Sequence, residues 1–483
     1  MSKKSVVSLV AAAVLSLSIS ATANDLPDLG ASALTVLSIE KEKRLGDVLF
    51  NEMRGHAGVL KDPLTQEYLN TLGNRLVAHA NDVKFPFTFF AIHSNDINAF
   101  AFYGGHIGIH TGLIAEADTE SQLASVIGHE IAHVTQRHLA RRQQAAAQQT
   151  PLTLAGIVGS ILLTAINPQA ALAGVMATSA GASQSSINFT RQNEQEADNV
   201  GMNILADAGY DPYAAGEFFA KLQAEFRYKT KPPQFLVTHP LPESRVTDAR
   251  LRAHQFERRF YSDSLDFLLL KHRILARYTY DPDIVVEYYE DLVTKLKGNK
   301  LFAAQYGLAL AYVDNEFFDK AEKLLDQLSQ QAPNNLFILD TFSDLYTAKK
   351  DFKTALDKLG HAYQLRPNNS VVTLNFANVA IASGNYEKAI KLLEYFLLTK
   401  PDDLIAHELL RQAYNKTKNM AKYHATGAEY FALVSNYTKA IQSADLALST
   451  LNPENTSEIS RLEALKIQFR QRMKYMQKIK GKM

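Results

Sequence analysis

The chain has 483 residues, of which 46% are hydrophobic and 21% are charged, as in a folded globular protein. This length exceeds one ordinary core, so we expect two or three domains. The formal net charge of +1 gives no support for nucleic acid as a partner, and the absence of cysteine excludes disulfides, cysteine nucleophiles and cysteine-ligated zinc.

Residues 1–23 have the pattern of a secretory signal peptide. Two lysines precede a short apolar run over 6–19, and the letters ATA at 21–23 fit the small-residue cleavage rule. The run is shorter than the roughly 20 residues that a membrane-spanning helix needs. We therefore expect an exported chain in the periplasm, with no transmembrane segment after signal removal. A retained anchor is the alternative.

After the leader, the pattern predicts two helices and a small sheet. Helices are predicted over 37–50 and 63–79, and a strand rich in aromatic and β-branched residues over 85–93. The letters NAFAFYGGHIGIHTGLI at 98–114 contain a turn at two glycines and then a second strand, in which isoleucines alternate with other residues. An unpaired strand edge in this region would offer N–H and C=O groups to an extended substrate backbone.

A long helix, capped by the threonine at its start, is predicted over 119–143 and contains the letters VIGHEIAHV at 126–134. Residues four apart share one helix face, so His129 and His133 can present imidazole nitrogens to one metal ion. Glu130 lies about 100° round the helix, where it can reach a water on the ion without binding the ion itself. A random chain of this length would contain such an H-E-x-x-H motif on the order of one per cent of the time.

The letters NEQEAD at 193–198 contain the best candidate for a third ligand. On a helix predicted over 193–209, Glu194 can bind metal while Asp198, one turn on, accepts the other N–H of a ligating histidine. Glu196 lies about 200° round from Glu194 and is excluded as its rival. Two imidazoles and one carboxylate are typical of catalytic zinc with a fourth position open to water, so we expect one Zn²⁺ per chain.

Glu130 is then the general base, which removes a proton from the attacking water and delivers it to the leaving amine, so the predicted reaction is peptide-bond hydrolysis. The metzincin pattern requires a glycine and a third histidine after the motif and is excluded, because Gln136 and Leu139 stand there. His138, five residues after His133, is interpreted as an exposed histidine.

An apolar segment lies between the two parts of this site. Between Arg142 and Arg191 there is no Asp, Glu, Lys, Arg or His. The stretch over about 150–187 is broken by glycines and a proline, and neither half supplies roughly 20 apolar residues. We interpret it as a lid over a groove. A hairpin that touches the membrane, and hence a membrane-anchored protease, is the alternative.

From residue 263 onward the helical pattern becomes repetitive. Alanines recur every 34 residues, each twelve residues before a proline, which is typical of tetratricopeptide repeats. The pairs are Ala321 and Pro333, Ala355 and Pro367, and Ala389 and Pro401. The clearest units are predicted over 302–335, 336–369 and 370–403. Tyr423 replaces the alanine of the following unit, so the flanking units are interpreted as degenerate or capping.

Three motifs, HEIAH at 129–133, EQEAD at 194–198 and THPLPESR at 238–245, together resemble the gluzincin metalloproteases related to the CAAX prenyl protease and HtpX. The NAFAFYGGHIGIHTGL stretch before the first motif is similar to the edge strand of that family. The resemblance covers nearly all of the chain after the leader.

The resemblance implies zinc on His129, His133 and Glu194, with the glutamate of HEIAH as the base. It also suggests His239 as a reversible fourth ligand that holds the enzyme latent, and Arg245 as an arginine that stabilises the transition-state oxyanion. On the residues alone, a histidine before proline is more often structural, and Arg245 could be a surface cation.

The expected fold is mainly α: an α+β zincin-like protease domain with a small sheet over 24–262, followed by an α-solenoid of tetratricopeptide repeats over 263–483. The resemblance implies a periplasmic endopeptidase that degrades misfolded or stalled outer-membrane β-barrel proteins and assists their assembly like a chaperone. The repeats would dock the β-barrel assembly machinery. The alternative function is a non-catalytic scaffold or chaperone in which the repeats do the work.

Overall fold

The structure of the protein is a computed structural model. It describes residues 37–55, 58–147, 180–226, 234–241 and 243–480. In this part of the chain a small three-stranded sheet packs among helices in the first half, and successive helix pairs form the second half. The expected mainly α fold class, with a small sheet followed by helical repeats, is therefore confirmed.

The first half contains nine described helices and three strands. The helices are α1 (Ile39–Arg54), α2 (Pro63–Val77), α3 (Thr111–Glu116), α4 (Glu120–Thr135), α5 (His138–Ala147), α6 (Ala180–Asp207), α7 (Tyr213–Phe226), α8 (Gln234–Thr238) and α9 (Glu243–Ala253). The strands are β1 (Thr88–Ile92), β2 (Ala99–Phe102) and β3 (His106–His110). Both α2 and α4 begin at predicted positions, and Thr119 caps α4 by accepting a hydrogen bond from the backbone N–H of Gln122.

β3 is the central strand of the sheet, parallel to β1 and antiparallel to β2. The outer edge of β1 is covered, because Leu60 N donates to Ala91 O at 2.9 Å and His93 N donates to Gly58 O at 2.8 Å. Within the described residues β2 has no second strand partner. The open edge of the sheet is therefore β2, which begins inside the NAFAF letters.

The stretch that resembles an edge strand divides into two strands. The chain reverses at Gly104 and Gly105, whose φ angles of 79° and 86° lie in the left-handed region that glycine tolerates. The residues before the glycines form the edge strand, and those after them form the central strand, which is buried on both faces. The alternation of isoleucines with other residues does not correspond to one solvated face.

The prediction of one helix over 119–143 is wrong. α4 ends at Thr135, Arg137 has a φ of 53°, and a new helix begins at His138. The guanidinium of Arg137 is buried and donates to the Glu42 carboxylate at 2.7 Å. No glycine or proline marks this break, so the helical periodicity of the sequence runs through it.

The helix predicted over 193–209 is longer than expected, since α6 begins at Ala180. It ends at Asp207, and Gly209 follows with a φ of 83°, as the predicted terminal glycine. The predicted lid over about 150–187 falls largely on residues 148–179, which lie outside the described residues. Its interpretation as a lid or a membrane hairpin therefore stays a prediction.

The second half consists of helices throughout its described length. They are α10 (Leu265–Ile274), a π-helical turn (Leu275–Thr279), α11 (Pro282–Lys295), α12 (Gly298–Asp314), α13 (Phe318–Gln331), α14 (Leu336–Ala348), α15 (Phe352–Leu365), α16 (Ser370–Ala382), α17 (Tyr386–Thr399), α18 (Leu404–Lys416), α19 (Met420–Leu433), α20 (Tyr437–Thr450) and α21 (Thr456–Lys480).

The helix pairs follow the predicted repeat period. The first helices of three successive pairs begin at residues 336, 370 and 404, which are 34 residues apart. The small alanines Ala321, Ala355 and Ala389 are all buried, at 0–1% exposure, where paired helices approach closely. Tyr423 lies in α19, whose bounds continue the same period. The backbone of the fourth unit is thus regular. Tyr423 is partly exposed, so it fits at the position where the other units bury an alanine.

The two halves share one hydrophobic core, since a single cluster of buried side chains runs from Leu64 to Leu392. Arg273, in α10, is buried and donates to Asp62 at 2.7 Å and to Asp340 at 2.8 Å. The repeats are therefore packed against the first half, and a domain boundary at 262 stays a prediction. Among the helices that the structure describes, none is both long enough and apolar enough to cross a membrane.

Candidate metal centre

The centre lies where α4 and α6 cross at a pair of glycines. A Cβ atom on Gly128 would lie 3.2 Å from the Gly201 carbonyl oxygen, and one on Gly201 would lie 3.0 Å from the backbone of His129. This close approach brings Glu194 and Asp198 of α6 to the histidine face of α4. The helical spacing in the sequence predicts the four polar residues of this face but gives no sign of the glycines that let their helices meet.

Four side chains converge at the crossing. His129, His133, Glu194 and His239 each contribute one potential ligand atom, and these atoms lie within 4.8 Å of one another. His129 Nε2 lies 3.0 Å from His133 Nε2 and 3.4 Å from His239 Nδ1. The Glu194 carboxylate lies 3.3 Å from His129 Nε2 and 3.4 Å from His133 Nε2.

This donor set fits a four-coordinate divalent ion. Ligand atoms placed about 2.0–2.1 Å from a tetrahedral zinc ion would lie roughly 3.3 Å apart. The spacings of 3.0, 3.3 and 3.4 Å among the two α4 imidazoles and the α6 carboxylate are close to that value. Imidazole nitrogen and carboxylate oxygen are also the ligand types that catalytic zinc sites use.

The charges around the donors also suit a cation. Burial lowers the pKa of His133 well below its usual value, which keeps the imidazole neutral and able to bind metal. Burial alone would lower the pKa of His129, but hydrogen bonds to Asp198 and Glu194 and their negative charges raise it to about 10. Burial would raise the pKa of Glu194, but His239 and His133 hold it well below its usual value. The carboxylates of Glu194 and Asp198 therefore favour positive charge at His129, which suits a cation at this place.

Glu130 lies beside the donors and is only 1% exposed. Its Oε1 atom is 3.4 Å from Nε2 of His239, while Nδ1 of the same ring is 3.1 Å from Glu194 Oε2. The ring of Phe235 stacks on His239 with centroids 4.9 Å apart. His239 is therefore held between the Glu130 carboxylate and the donor cluster.

Asp198 and Arg245 lie immediately behind the donors. Asp198 Oδ1 is 3.0 Å from His129 Nδ1. Arg245 donates from Nε and Nη2 to the two oxygens of Asp198 at 2.8 Å each, and its Nη1 lies 3.0 Å from Glu194 Oε2. Arg245 lies on α9, and at 3% exposure it is not a surface cation. That alternative is wrong because two carboxylates compensate its buried charge.

The expectation that His138 is exposed is also wrong. The helix is interrupted at Arg137, and the backbone changes direction there before α5 begins. His138 is therefore 4% exposed, and its Nδ1 lies 2.8 Å from Nδ1 of His133. Glu196, which was excluded as a ligand, lies outside the donor cluster. It accepts a hydrogen bond from Arg141 at 2.8 Å, and its Oε2 is 3.1 Å from His138 Nε2.

Asn98 is a further polar residue near the centre that the sequence analysis did not single out. It is fully buried, and neither its side-chain oxygen nor its side-chain nitrogen has a hydrogen-bond partner among the described residues. Its carbonyl accepts from His110 N at 3.0 Å, and the preceding carbonyl of Ile97 accepts from Phe235 N at 3.2 Å. Since Phe235 stacks on His239, the start of the open strand edge lies beside the centre.

Fold and site define a metalloprotease that carries helical repeats. Residues 63–253 match the model of Peptidase family M48, and residues 346–413 match a Tetratricopeptide repeat model. The expected metalloprotease activity and the expected repeats are therefore confirmed.

Similar proteins match this chain over most of its length, beyond the residues that the two family models cover. The chain is 42% identical to the Beta-barrel assembly-enhancing protease of Escherichia coli (strain K12), over 89% of this chain and 88% of that one. It is 40% identical to the Beta-barrel assembly-enhancing protease of Yersinia pestis, over 93% of this chain and 94% of that one. Metalloprotease LoiP of Escherichia coli (strain K12) is 29% identical over 41% of this chain and 77% of that one. The chain belongs to the β-barrel assembly-enhancing protease family.

Proposed function

We propose that the protein is a latent zinc endopeptidase of the periplasm that degrades misfolded or stalled outer-membrane β-barrel proteins and assists their assembly. The observation that carries the proposal is the cluster of ligand atoms from His129, His133, Glu194 and His239 within 4.8 Å. The names of the relatives support a role in barrel assembly. In this proposal a signal peptide over 1–23 directs export.

His129, His133 and Glu194 are proposed to hold the ion. A bound zinc ion would supply Lewis-acid activation of water and of the scissile carbonyl. Asp198 Oδ1 lies 3.0 Å from His129 Nδ1, where it would accept the N–H of that nitrogen and direct Nε2 toward the ion. Arg245 keeps the Asp198 carboxylate in place through its paired hydrogen bonds.

Glu130 is proposed to move the protons. Its carboxylate takes a proton from the attacking water and delivers it to the leaving amine. The open edge of β2 would hold the substrate backbone through main-chain hydrogen bonds, a mode that tolerates many sequences. The unpartnered amide of Asn98 is fully buried at the start of that edge, so it would add a donor and an acceptor only if the edge opened around the substrate.

Latency is assigned to His239. Its imidazole contacts both Glu130 and Glu194, and therefore occupies the space that an attacking water and a substrate carbonyl require. Release of His239 would open that space. The resemblance also implies that Arg245 stabilises the oxyanion. Because its guanidinium is bound by Asp198, Glu194 and the Pro240 carbonyl, that role requires at least one of these contacts to open.

The repeats are proposed to dock the β-barrel assembly machinery. A groove of about 1690 Å³ lies between α1, α2 and the repeats. Charged side chains of both signs and several amides line it, and such a lining suits a polypeptide better than a small apolar ligand. The amide residues are Asn51, Gln66, Asn70, Asn74, Asn369 and Gln471.

The catalytic proposal is tested by metal analysis and casein digestion of the purified mature chain. We expect about one zinc ion per chain, as in catalytic sites, together with weak cleavage that increases in His239→Ala. The exposed His361→Ala is the control and should behave as the wild type. A preparation that folds without binding zinc would contradict the proposal, and a fall in cleavage in His239→Ala would contradict latency.

The scaffold alternative is favoured by the groove and is tested in cells. Wild type and Glu130→Gln are compared for rescue of outer-membrane barrel assembly. Equal rescue, with no cleavage of an unfolded substrate by either, would establish the scaffold function instead. Osmotic-shock fractionation of the same cells tests the location, since a membrane-bound product would contradict a periplasmic enzyme.

A further inference from the structure

We propose that His138 is a positioning residue for the metal centre, which fixes the tautomer and orientation of His133 and is itself held by Glu196. This inference rests on the proposed metal site. It concerns a side chain that touches neither the ion nor the substrate, and it gives a role to two residues that the ligand assignment leaves unused.

A chain of polar contacts leads away from His133. Its Nδ1 lies 2.8 Å from Nδ1 of His138. On the other side of that ring, Nε2 of His138 lies 3.1 Å from Glu196 Oε2, and the same oxygen accepts from Arg141 Nη1 at 2.8 Å. The His138 side chain is 4% exposed, Arg141 12% and Glu196 16%, so little water competes for these contacts.

The direction of each hydrogen bond follows from the ligand nitrogen. A histidine that binds metal through Nε2 carries its hydrogen on Nδ1. His133 Nδ1 then donates to His138 Nδ1, which must accept, so the hydrogen of His138 is on Nε2 and is donated to Glu196. A carboxylate only accepts, and the Arg141 guanidinium only donates. Each polar atom in this series of contacts can therefore act only as a donor or only as an acceptor. Together these assignments leave the Nε2 lone pair of His133 directed at the donor cluster.

The backbone is bent to make this contact. On a continuous helix, a side chain five residues after His133 would point roughly 140° away from it. Arg137 instead adopts a left-handed conformation, with φ 53°, which is uncommon for a residue other than glycine. Its buried guanidinium donates to the Glu42 carboxylate and to the Leu37 carbonyl, each at 2.7 Å. The turn that brings His138 against His133 is thus held from the other side of the fold.

The two α4 ligands have parallel supports. His129 Nδ1 faces Asp198, which is held by the guanidinium of Arg245. His133 Nδ1 faces His138, which reaches a second guanidinium through Glu196. Partners of this kind orient the ligand and raise its basicity, and their loss weakens metal binding by about 10–100-fold.

The test is zinc affinity of the mature full-length chain, measured by competition with a chromophoric chelator. His138→Phe keeps a ring of similar size but removes the acceptor, so we expect zinc to bind about 10–100-fold more weakly. In His138→Gln the side-chain carbonyl can accept from Nδ1, and we expect part of the affinity to return. Glu196→Gln should have a smaller effect in the same direction. His407→Phe, at an equally buried histidine of α18, is the matched control and should not change the affinity.

Two further measurements separate positioning from folding. Circular dichroism melts of the metal-free variants test whether they fold, and the absorption bands of the cobalt(II)-loaded protein should shift in His138→Phe and not in His407→Phe. If the wild type binds zinc and His138→Phe binds it within twofold of that affinity, the inference is overturned while the proposed metal site stands. Failure of the wild type to bind zinc would overturn both. A lower melting temperature with unchanged zinc affinity would show a purely structural role for His138 and overturn the inference alone.

Discussion

The candidate metal centre and the repeats are both helical, but they are assembled over different ranges of sequence. In the repeats each helix packs mainly on its neighbours in the chain, and corresponding helices begin at residues 336, 370 and 404. At the metal centre His239 contacts Glu194 across 45 residues and His129 across 110. A solenoid can therefore be specified by short-range periodicity, whereas the centre requires three distant segments to pack together.

The two regions meet at buried polar contacts. Arg273 of α10 binds Asp62 at the start of α2 and Asp340 of α14. Glu120, the first residue of α4, accepts hydrogen bonds from Ser264 N at 3.0 Å and from the Tyr68 hydroxyl at 2.8 Å. The start of α4, which carries two of the candidate ligands, thus contacts the start of α10, the first helix of the second half. Substitutions in the centre, at the junction and in the repeats can each test whether the two regions depend on one another for stability.

Glu130→Gln should produce the largest effect and affect the centre alone. Loss of the general base is expected to lower casein cleavage by about 10²–10⁴-fold. Zinc content and thermal unfolding should not change, because Glu130 is not among the four clustered donors. Cleavage assays and metal analysis on the same preparation measure this. The exposed Glu287→Gln on α11 is the control, and cleavage within tenfold of the wild type would rule out Glu130 as the base.

Arg273→Met should affect the junction and therefore both regions. It leaves the buried carboxylates of Asp62 and Asp340 without their cation, and breaking a buried pair in this way costs about 3–5 kcal/mol of unfolding free energy. Denaturant titration gives the loss, and hydrogen exchange shows where it occurs. We expect faster exchange in both α2 and α14. Faster exchange in only one of them would show that the halves are independent, and Lys295→Met, at an exposed pair, is the control.

Ala389→Leu should destabilise the repeats and leave the centre unchanged. Ala389 is fully buried between paired helices, so the larger side chain would overpack the interface and cost about 1–3 kcal/mol. Thermal unfolding measures the loss, and chelator competition should show unaltered zinc affinity. Leu398→Ala, at a site that is 78% exposed, should change neither quantity. A weaker zinc site in Ala389→Leu would contradict the separation of the two regions.

Thr119→Ala should have the smallest effect of the four and act on α4. The Thr119 hydroxyl accepts from Gln122 N at 3.2 Å and caps α4. Loss of such a cap costs about 1 kcal/mol. Denaturant unfolding measures the difference against Thr294→Ala, an exposed threonine inside α11. An unchanged free energy of unfolding would mean that the Ser264 and Tyr68 contacts hold the helix start without the cap.

Much of the fold could be predicted because it depends on local patterns. The repeat helices begin where the alanine and proline spacing places them, and α4 begins at its predicted cap. Local patterns failed at Arg137, where a left-handed residue interrupts the helix without any glycine or proline. That conformation is stabilised by the Glu42 carboxylate, 95 residues away in sequence, and no local signal reports such a partner.

In the candidate site, too, some features follow from local sequence patterns and others depend on contacts between distant segments. The sequence by itself determined that His129 and His133 share one face of a helix, and that Glu194 and Asp198 share a face of another, because residues four apart on a helix must do so. Only the tertiary structure decided that these faces meet at Gly128 and Gly201, that His239 lies between the donors and Glu130, and that His138 turns inward. Those placements depend on packing between segments far apart in sequence, and the spacing of residues within one helix carries no information about them.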